Sequence, residues 1–98
     1  MPSTRADAVD YVQVMDNERV RGWRLTLAPG QAAGSISQTA PGLRIVVNGG
    51  EIVESVPGRP DRRMFLRAGA FFWQDLGVTR VVHNDGPGRV ELVEFELK

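Results

Sequence analysis

The stretch APGQAAGSISQTAPGLRIVVNGGEI, residues 28–52, decides the fold of this chain. A Pro-Gly pair opens it, a run of small and polar residues without periodicity follows, and an apolar segment at 43–48 stops at Gly49-Gly50. Turn, loop, strand and turn in succession are typical of a β-protein, and a Gly-Gly pair between two strands predicts a hairpin. The stretch contains no His, no Asp and a single Glu, so it offers few ligands for a metal ion.

The segments on either side continue the same pattern of short strands. Trp23, Leu25 and Leu27 alternate with polar residues, as one face of a strand does. In the last segment Glu94 and Glu96 alternate with apolar residues, and we interpret them as its solvated face. About eight strands with turn signals every 8–12 residues or so predict an all-β sandwich, jelly roll or barrel. The predicted strands lie near 9–15, 19–27, 43–48, 51–55, 62–66, 70–74, 78–84 and 89–98.

Length and charge limit the classes of function. The 98 residues suffice for one domain, which we place at 1–98 with a flexible segment at 1–8. Lys plus Arg and Asp plus Glu are 12 each, so the net charge is zero, and we expect neither a nucleic-acid partner nor a membrane surface. Without cysteine there is no disulfide and no thiol catalysis. We expect a cytoplasmic protein, and a homodimer, because so small a core benefits from further burial.

Two glycine-anchored frames resemble the signature motifs of the cupin superfamily. The first runs from Gly30 through positions 36, 38 and 42 to Gly49, and the second from Gly69 through positions 75, 77 and 80 to Asn84. The segments NERVRGWRL, LRAGAFFW and VELVEFELK are similar to small single-domain cupins, some of which are linked to β-alanine breakdown. The resemblance implies a cupin-type β-barrel, or double-stranded β-helix (jelly roll), over most of the chain.

The same frames depart from the cupin pattern at the metal ligands. The ligand positions of the family correspond here to Ile36, Gln38, Gly42 (or Leu43) and Arg80. Neither Ile nor Gly has a side chain that binds a metal, and a protonated Arg repels a cation. A divalent ion needs three or four ligands in such a site. We therefore expect no metal, no other cofactor and no metal-dependent dioxygenase-type chemistry.

The positions that lack metal ligands would line a pocket instead. If they keep the inward direction of the family, Ile36, Gln38 and Arg80 face the interior together, because residues two apart on a strand share a face. Arg44 and Trp73 complete our candidate ligand-binding residues at the pocket mouth. A guanidinium in an apolar pocket suits a small molecule with a carboxylate.

Each of these residues has another interpretation. Arg80 could pair with a carboxylate of the last strand, Glu91 or Glu94, or reach out of the pocket mouth, because a buried charge needs a partner. A bulge near the start of the strand would turn Arg44 outward, and we favour that orientation. Trp73 could pack in the core or at a subunit interface. His83 lies three residues after Arg80, which places it on the opposite face, so we assign no catalytic residue.

Four functions remain open from the sequence. The first is a metal-independent cupin-fold protein that binds a small polar or anionic molecule, and it is the one we favour. The second is a structural or dimerisation module with a packed barrel, and the third is a metal-free enzyme of the isomerase type. The fourth is a metallocupin with unusual ligands, such as Gln38 and His83. The sequence names neither a ligand nor a reaction.

Overall fold

A computed structural model of the chain describes residues 10–33, 36–37, 40–74 and 79–98. The described part is all β and contains nine strands, which confirms the predicted fold class. The predicted flexible segment at 1–8 lies outside the described residues, as does Gln38. The strands are β1 (Asp10–Asp16), β2 (Val20–Leu27), β3 (Ile36–Ser37), β4 (Gly42–Asn48), β5 (Gly50–Ser55), β6 (Arg62–Leu66), β7 (Phe71–Gln74), β8 (Thr79–Asn84) and β9 (Val90–Leu97).

The strands form two sheets that pack face to face. One sheet has the order β1-β2-β9-β4-β7 and the other the order β3-β8-β5-β6, with antiparallel pairing throughout. The described strands do not join into a closed ring, so the barrel is a sandwich of two sheets. Only β1–β2 and β5–β6 are hairpins, and the chain crosses to the other sheet after each of the remaining described strands. This alternation is the double-stranded arrangement that the glycine frames imply.

The hairpin predicted at Gly49-Gly50 is wrong. β4 lies in the five-stranded sheet and β5 in the four-stranded sheet, so this Gly pair is a crossing between sheets. The chain comes so close to its neighbour that a Cβ on Gly49 would lie 2.0 Å from the carbonyl oxygen of Leu66. Gly49 is therefore required by a close approach of two backbones. The glycines that open the two frames, Gly30 and Gly69, have positive φ angles of 81° and 89°, which favour glycine.

The hydrophobic core lies between the sheets and draws on both. In β2, Leu25 and Leu27 are fully buried, as the alternation predicted. Asn84 at the end of β8 is also fully buried; its amide donates to the carbonyl oxygens of Leu27 and Gly88 and so fixes the turn into β9. Burying each large aliphatic side chain contributes about 1.5–3 kcal/mol. The buried apolar residues are Leu25, Leu27, Ala33, Val46, Ile52, Leu66, Val82, Val90 and Leu92.

The inner and outer faces of β9 are the reverse of those we expected. Val90 and Leu92 are fully buried, and Glu94, on the same face, is only 5% exposed. Leu97, on the face we took for the apolar one, is 44% exposed. The interpretation of Glu94 as part of a solvated face is therefore wrong. The physical reason is that the interior carries opposite charges that a carboxylate can pair with.

Candidate functional site

The space between the sheets has an apolar layer and, next to it, a charged layer. Four charged side chains, here called the charged cluster, each lie two positions along a strand from a residue of the core. Residues two apart share a face, so the strands that bury the core also bury these charges. The four pairs of charged residue and core residue are Arg44 with Val46, Glu54 with Ile52, Arg80 with Val82, and Glu94 with Leu92.

Arg44 and Glu94 form a close buried pair. They are 4% and 5% exposed, and they lie directly opposite each other on neighbouring strands. The Nε of Arg44 donates to Oε2 of Glu94 at 2.9 Å, and Nη2 lies 2.8 Å from the same oxygen. The hydroxyl of Tyr11 donates to the other carboxylate oxygen at 3.4 Å. A charge-assisted hydrogen bond of the length that Nε makes is among the strong ones, and the Nη2 contact adds an ion pair, so the two residues are firmly held together.

Glu54 lies between the two guanidiniums at greater distances. Its Oε2 is 3.8 Å from Nη1 of Arg44 and 3.7 Å from Nε of Arg80. Both separations exceed those of an N–H···O hydrogen bond, so in these two contacts Glu54 is held mainly by charge. Its side chain is 14% exposed, more than those of the other three members of the cluster.

The surroundings of Arg80 disfavour its charged form. Burial lowers the pKa of Arg80 below its ordinary value, and the positive charge of Arg44 lowers it further. The carboxylates of Glu94 and Glu54 act in the opposite direction and offset part of the shift. A further anion close to Arg80 would favour its charged form in the same way.

A pocket of about 310 Å³ opens onto the charged cluster. Its size falls at the lower end of the range of small-molecule sites, and its lining mixes apolar and aromatic side chains with a few charged groups. The amide of Gln74, which is 9% exposed, supplies a neutral polar group. The lining residues are Arg44, Glu54, Arg62, Met64, Leu66, Phe72, Trp73, Gln74 and Arg80.

Three of the five predicted site residues lie around this pocket. They are Arg44, Trp73 and Arg80. For Ile36 the structure describes only the backbone, which pairs with that of Arg80 between β3 and β8. Gln38 lies outside the described residues. Trp73 is in register with Leu43. Leu43 precedes Arg44 by one position, so Leu43 and Trp73 lie on the sheet face opposite to that of Arg44, and Trp73 is 56% exposed. Its side chain therefore lies on the outer face of the sheet.

One of our orientations was wrong. Arg44 is buried rather than turned outward; the irregularity of β4 falls between Val46 and Asn48, beyond Arg44. Of the alternatives for Arg80, the one in which it reaches out of the pocket does not hold, because the residue is 6% exposed and one of its ion-pair contacts is with Glu54 of β5. Glu94 acts on Arg80 through its charge, although its close contact is with Arg44. The alternative carboxylate, Glu91, lies 3.9 Å from Arg24 at the surface.

Six of the nine lining residues are not among the predicted site residues, and the sequence held a signal for three of them. Glu54 follows Ile52 by two positions, so the burial of Ile52 would have located it. Phe72 is in register with Arg44 and is the aromatic residue of β7 on the face of the charged cluster. Gln74 shares that face, two positions further along. In each case the signal is the alternation of side-chain direction along a strand. It locates an inward residue only when another inward residue of the same strand is known.

His83 lies away from the pocket lining. It pairs in register with Val53 between inward neighbours on both strands, in agreement with the predicted opposite face. Its Nδ1 is 4.0 Å from Oδ1 of Asp85, and its side chain is 41% exposed. No general acid–base role follows from this position.

The charged cluster does not suit a divalent metal ion. Its two carboxylates already face guanidiniums, and two buried positive charges, Arg44 and Arg80, would repel a cation. Within the described part of the chain, no group of three or more His, Cys, Asp or Glu side chains is placed to hold a metal.

Comparison with solved structures shows the fold. A cupin domain from Bordetella pertussis Tohama I superposes with a TM-score of 0.87 at 22% identity, over 93% of this chain and 94% of that chain. The chain has the cupin fold. An RmlC-like cupin family protein with a double-stranded β-helix from Methanocaldococcus jannaschii gives a TM-score of 0.76 at 12% identity, over 91% of this chain and 79% of that one.

A cupin fold by itself does not name a function. A DMSP lyase from Ruegeria pomeroyi DSS-3 is also similar, with a TM-score of 0.74 at 12% identity, over all of this chain and 51% of the lyase. No model of a protein family matches this chain, and no curated protein is similar in sequence. Proteins with the same fold can have unrelated functions, so any role of this chain must be argued from its pocket. Within the described ranges, no helix is long and apolar enough to cross a membrane.

Proposed function

We propose that this cupin-fold protein binds a small organic anion, a carboxylate, in the pocket between its sheets without the help of a metal ion. The observation that carries the proposal is the presence of two buried guanidiniums, Arg44 and Arg80, at the edge of that pocket. Burial makes a guanidinium costly unless negative charge is near, and a bound carboxylate would supply more of it.

The lining supports an anion that carries an apolar body. Met64 and Leu66 of β6 and Phe72 of β7, in the other sheet, supply apolar surface to the pocket, and Gln74 offers an amide that can both donate and accept. A guanidinium can hold a carboxylate by two parallel hydrogen bonds, which fixes its orientation. The ligand that fits these features is a small carboxylate with an aliphatic or aromatic remainder.

Calorimetry and thermal unfolding with a panel of simple carboxylates, including benzoate, succinate and glutarate, test the proposal. A ligand at 100 times its Kd stabilises a protein by about 2.7 kcal/mol, which raises the Tm of a domain of this size by about 10–20 °C. We expect Arg80→Met to abolish binding and Arg63→Met, at an arginine that is exposed outside the pocket, to leave it unchanged. If no carboxylate binds the native protein at millimolar concentration, the proposal is wrong.

The other functions open from the sequence have less support. A module with a packed barrel is less consistent with a pocket of about 310 Å³. An isomerase-type enzyme without a metal would need an acid or base at the pocket, and Glu54 is the side chain that could serve as one. Turnover of a bound carboxylate that disappears in Glu54→Gln would favour that alternative. The link to β-alanine breakdown and the cytoplasmic location stay predictions.

We further propose a homodimer formed through the outer face of the five-stranded sheet. Two rows of side chains cross this face in register, and Arg24 is the charged residue among them. This face offers few opposite charges to a charged partner protein. The same apolar face of a second copy of the chain would pack against it about a twofold axis. The rows are Trp73, Leu43, Phe95, Gly22 and Met15, and Phe71, Ile45, Val93, Arg24 and Val12.

A further inference from the structure

The charged cluster is electrically balanced before any ligand enters. Arg44 and Arg80 contribute two positive charges, and Glu54 and Glu94 contribute two negative charges. A carboxylate that simply joined them would add an uncompensated negative charge to a largely buried site, which is unfavourable. If the pocket binds an anion, as proposed above, one of the internal carboxylates therefore has to give way.

The contacts of the two carboxylates differ. Glu94 holds Arg44 at 2.8–2.9 Å, accepts from Tyr11 and does not line the pocket. Glu54 lines the pocket and stands 3.7–3.8 Å from both guanidiniums, at the distance of an ion pair without a hydrogen bond. Of the two, Glu54 is far easier to displace.

A second cation is within reach of a displaced Glu54. Arg62 lies directly opposite it on the neighbouring strand β6, and both residues line the same pocket. Directly opposed residues of an antiparallel pair have Cβ atoms about 4.5–5.5 Å apart, so a change of rotamer suffices for their side chains to meet. Arg62 is exposed, so an ion pair formed there needs little desolvation.

We propose that Glu54 is a built-in competitor for the ligand. In the empty pocket it neutralises Arg44 and Arg80; when a carboxylate enters, Glu54 turns to Arg62 and leaves the two buried guanidiniums to the ligand. Affinity is then set by an exchange of carboxylates. Such an exchange favours ligands whose apolar body gains further contacts with the pocket wall, and it disfavours small inorganic anions that gain nothing beyond charge.

Calorimetric titration of Glu54→Gln with benzoate, succinate and glutarate tests the exchange. Removing the internal carboxylate is expected to tighten binding about tenfold or more, since the ligand no longer displaces a charge. Glu51→Gln is the matched control, because Glu51 is an exposed carboxylate on the same strand outside the pocket lining. Glu51→Gln should bind the three carboxylates with the same affinity as the native protein.

Arg62→Met provides a second variant at an exposed position, where folding is least at risk. In the native background, Arg62→Met should weaken carboxylate binding several-fold, because the displaced Glu54 loses the cation it turns to. In the Glu54→Gln background it should leave the affinity unchanged, because that variant has no carboxylate at position 54 to be displaced. Equal weakening in both backgrounds would mean that Arg62 contacts the ligand directly and would overturn the proposed exchange.

The outcomes separate this inference from the proposed function. Binding by the native protein with equal or weaker binding by Glu54→Gln refutes the competitor and leaves the anion pocket standing. Binding by both proteins that is about tenfold tighter for Glu54→Gln supports the competitor. Binding by Glu54→Gln alone would mean that Glu54 is not displaced in the native protein, and it would refute the exchange. If neither protein binds any of the three carboxylates, the anion pocket is refuted, and the competitor with it.

Discussion

Replacing Arg44 by Met removes the positive charge from a buried ion pair and keeps most of the volume of the side chain. Glu94, which is 5% exposed, then keeps one distant hydrogen bond from Tyr11 at 3.4 Å. Glu54, 3.8 Å from Arg44, loses one of its two cations. The variant therefore leaves negative charge in the interior without its main partner.

The expected loss is large relative to the stability of a small domain. Breaking a buried pair by removal of one partner costs about 3–5 kcal/mol, whereas the whole free energy of unfolding is about 5–15 kcal/mol. The Tm should fall by about 12 °C or more, since each kcal/mol corresponds to about 4–8 °C in a domain of this size. Adding Glu94→Leu to Arg44→Met removes the orphaned carboxylate as well and should recover most of the loss.

Urea unfolding followed by tryptophan fluorescence measures these changes, with Arg63→Met as the matched control. Arg63 pairs with Asp85, but its side chain is 60% exposed, so this substitution should cost only a small fraction of the loss expected for Arg44→Met. The reasoning fails if Arg44→Met and Arg63→Met cost the same. It also fails if the added Glu94→Leu makes the protein less stable still.

Three further predictions concern other parts of the molecule. Phe71→Asp should shift a dimer to a monomer in analytical ultracentrifugation, whereas Phe65→Asp, at an equally exposed residue (68%) of the other sheet, should not; the reverse result would move the interface. Gly49→Ala should lower the Tm or prevent folding, because its Cβ would overlap a backbone carbonyl, and an unchanged Tm would contradict that close approach. The pKa of Asp16, lowered chiefly by its hydrogen bond from Lys98, should return towards its ordinary value in Lys98→Met, as carbon NMR titration of the carboxyl can show. Because this pKa is depressed, the pair's contribution to stability exists above the ordinary pKa of Asp and disappears as the pH falls through the folded value.

The sequence contained enough to predict the fold class, and three of the proposed site residues, Arg44, Trp73 and Arg80, lie around a pocket. Alternating strands and turn glycines predicted an all-β chain, and the spacing between Gly30 and Gly49 indicated the cupin arrangement. The Gly49-Gly50 pair, however, led to a wrong prediction of which strands pair with each other. A Gly-Gly pair fits both a tight hairpin and a crossing where two backbones touch, and local sequence does not distinguish them.

The charged cluster could be predicted only in part. Arg80 occupies a position where the glycine frame expects an inward side chain, so its burial could be anticipated. Glu54 and Glu94 could not, because a carboxylate on an alternating strand is usually solvated and becomes a good interior residue only opposite a buried cation. Their burial depends on partners from other strands, 10 to 50 positions away along the chain.

The place of β9 in the five-stranded sheet has a consequence for folding. This strand, Val90–Leu97, lies between β2 and β4, although it leaves the ribosome after both. Until it arrives, β1–β2 and β4–β7 are separate fragments with unpaired edges, and neither can close the interior. Folding during synthesis is therefore delayed until the last strand is free, and the nascent chain passes through a stage that is prone to aggregation.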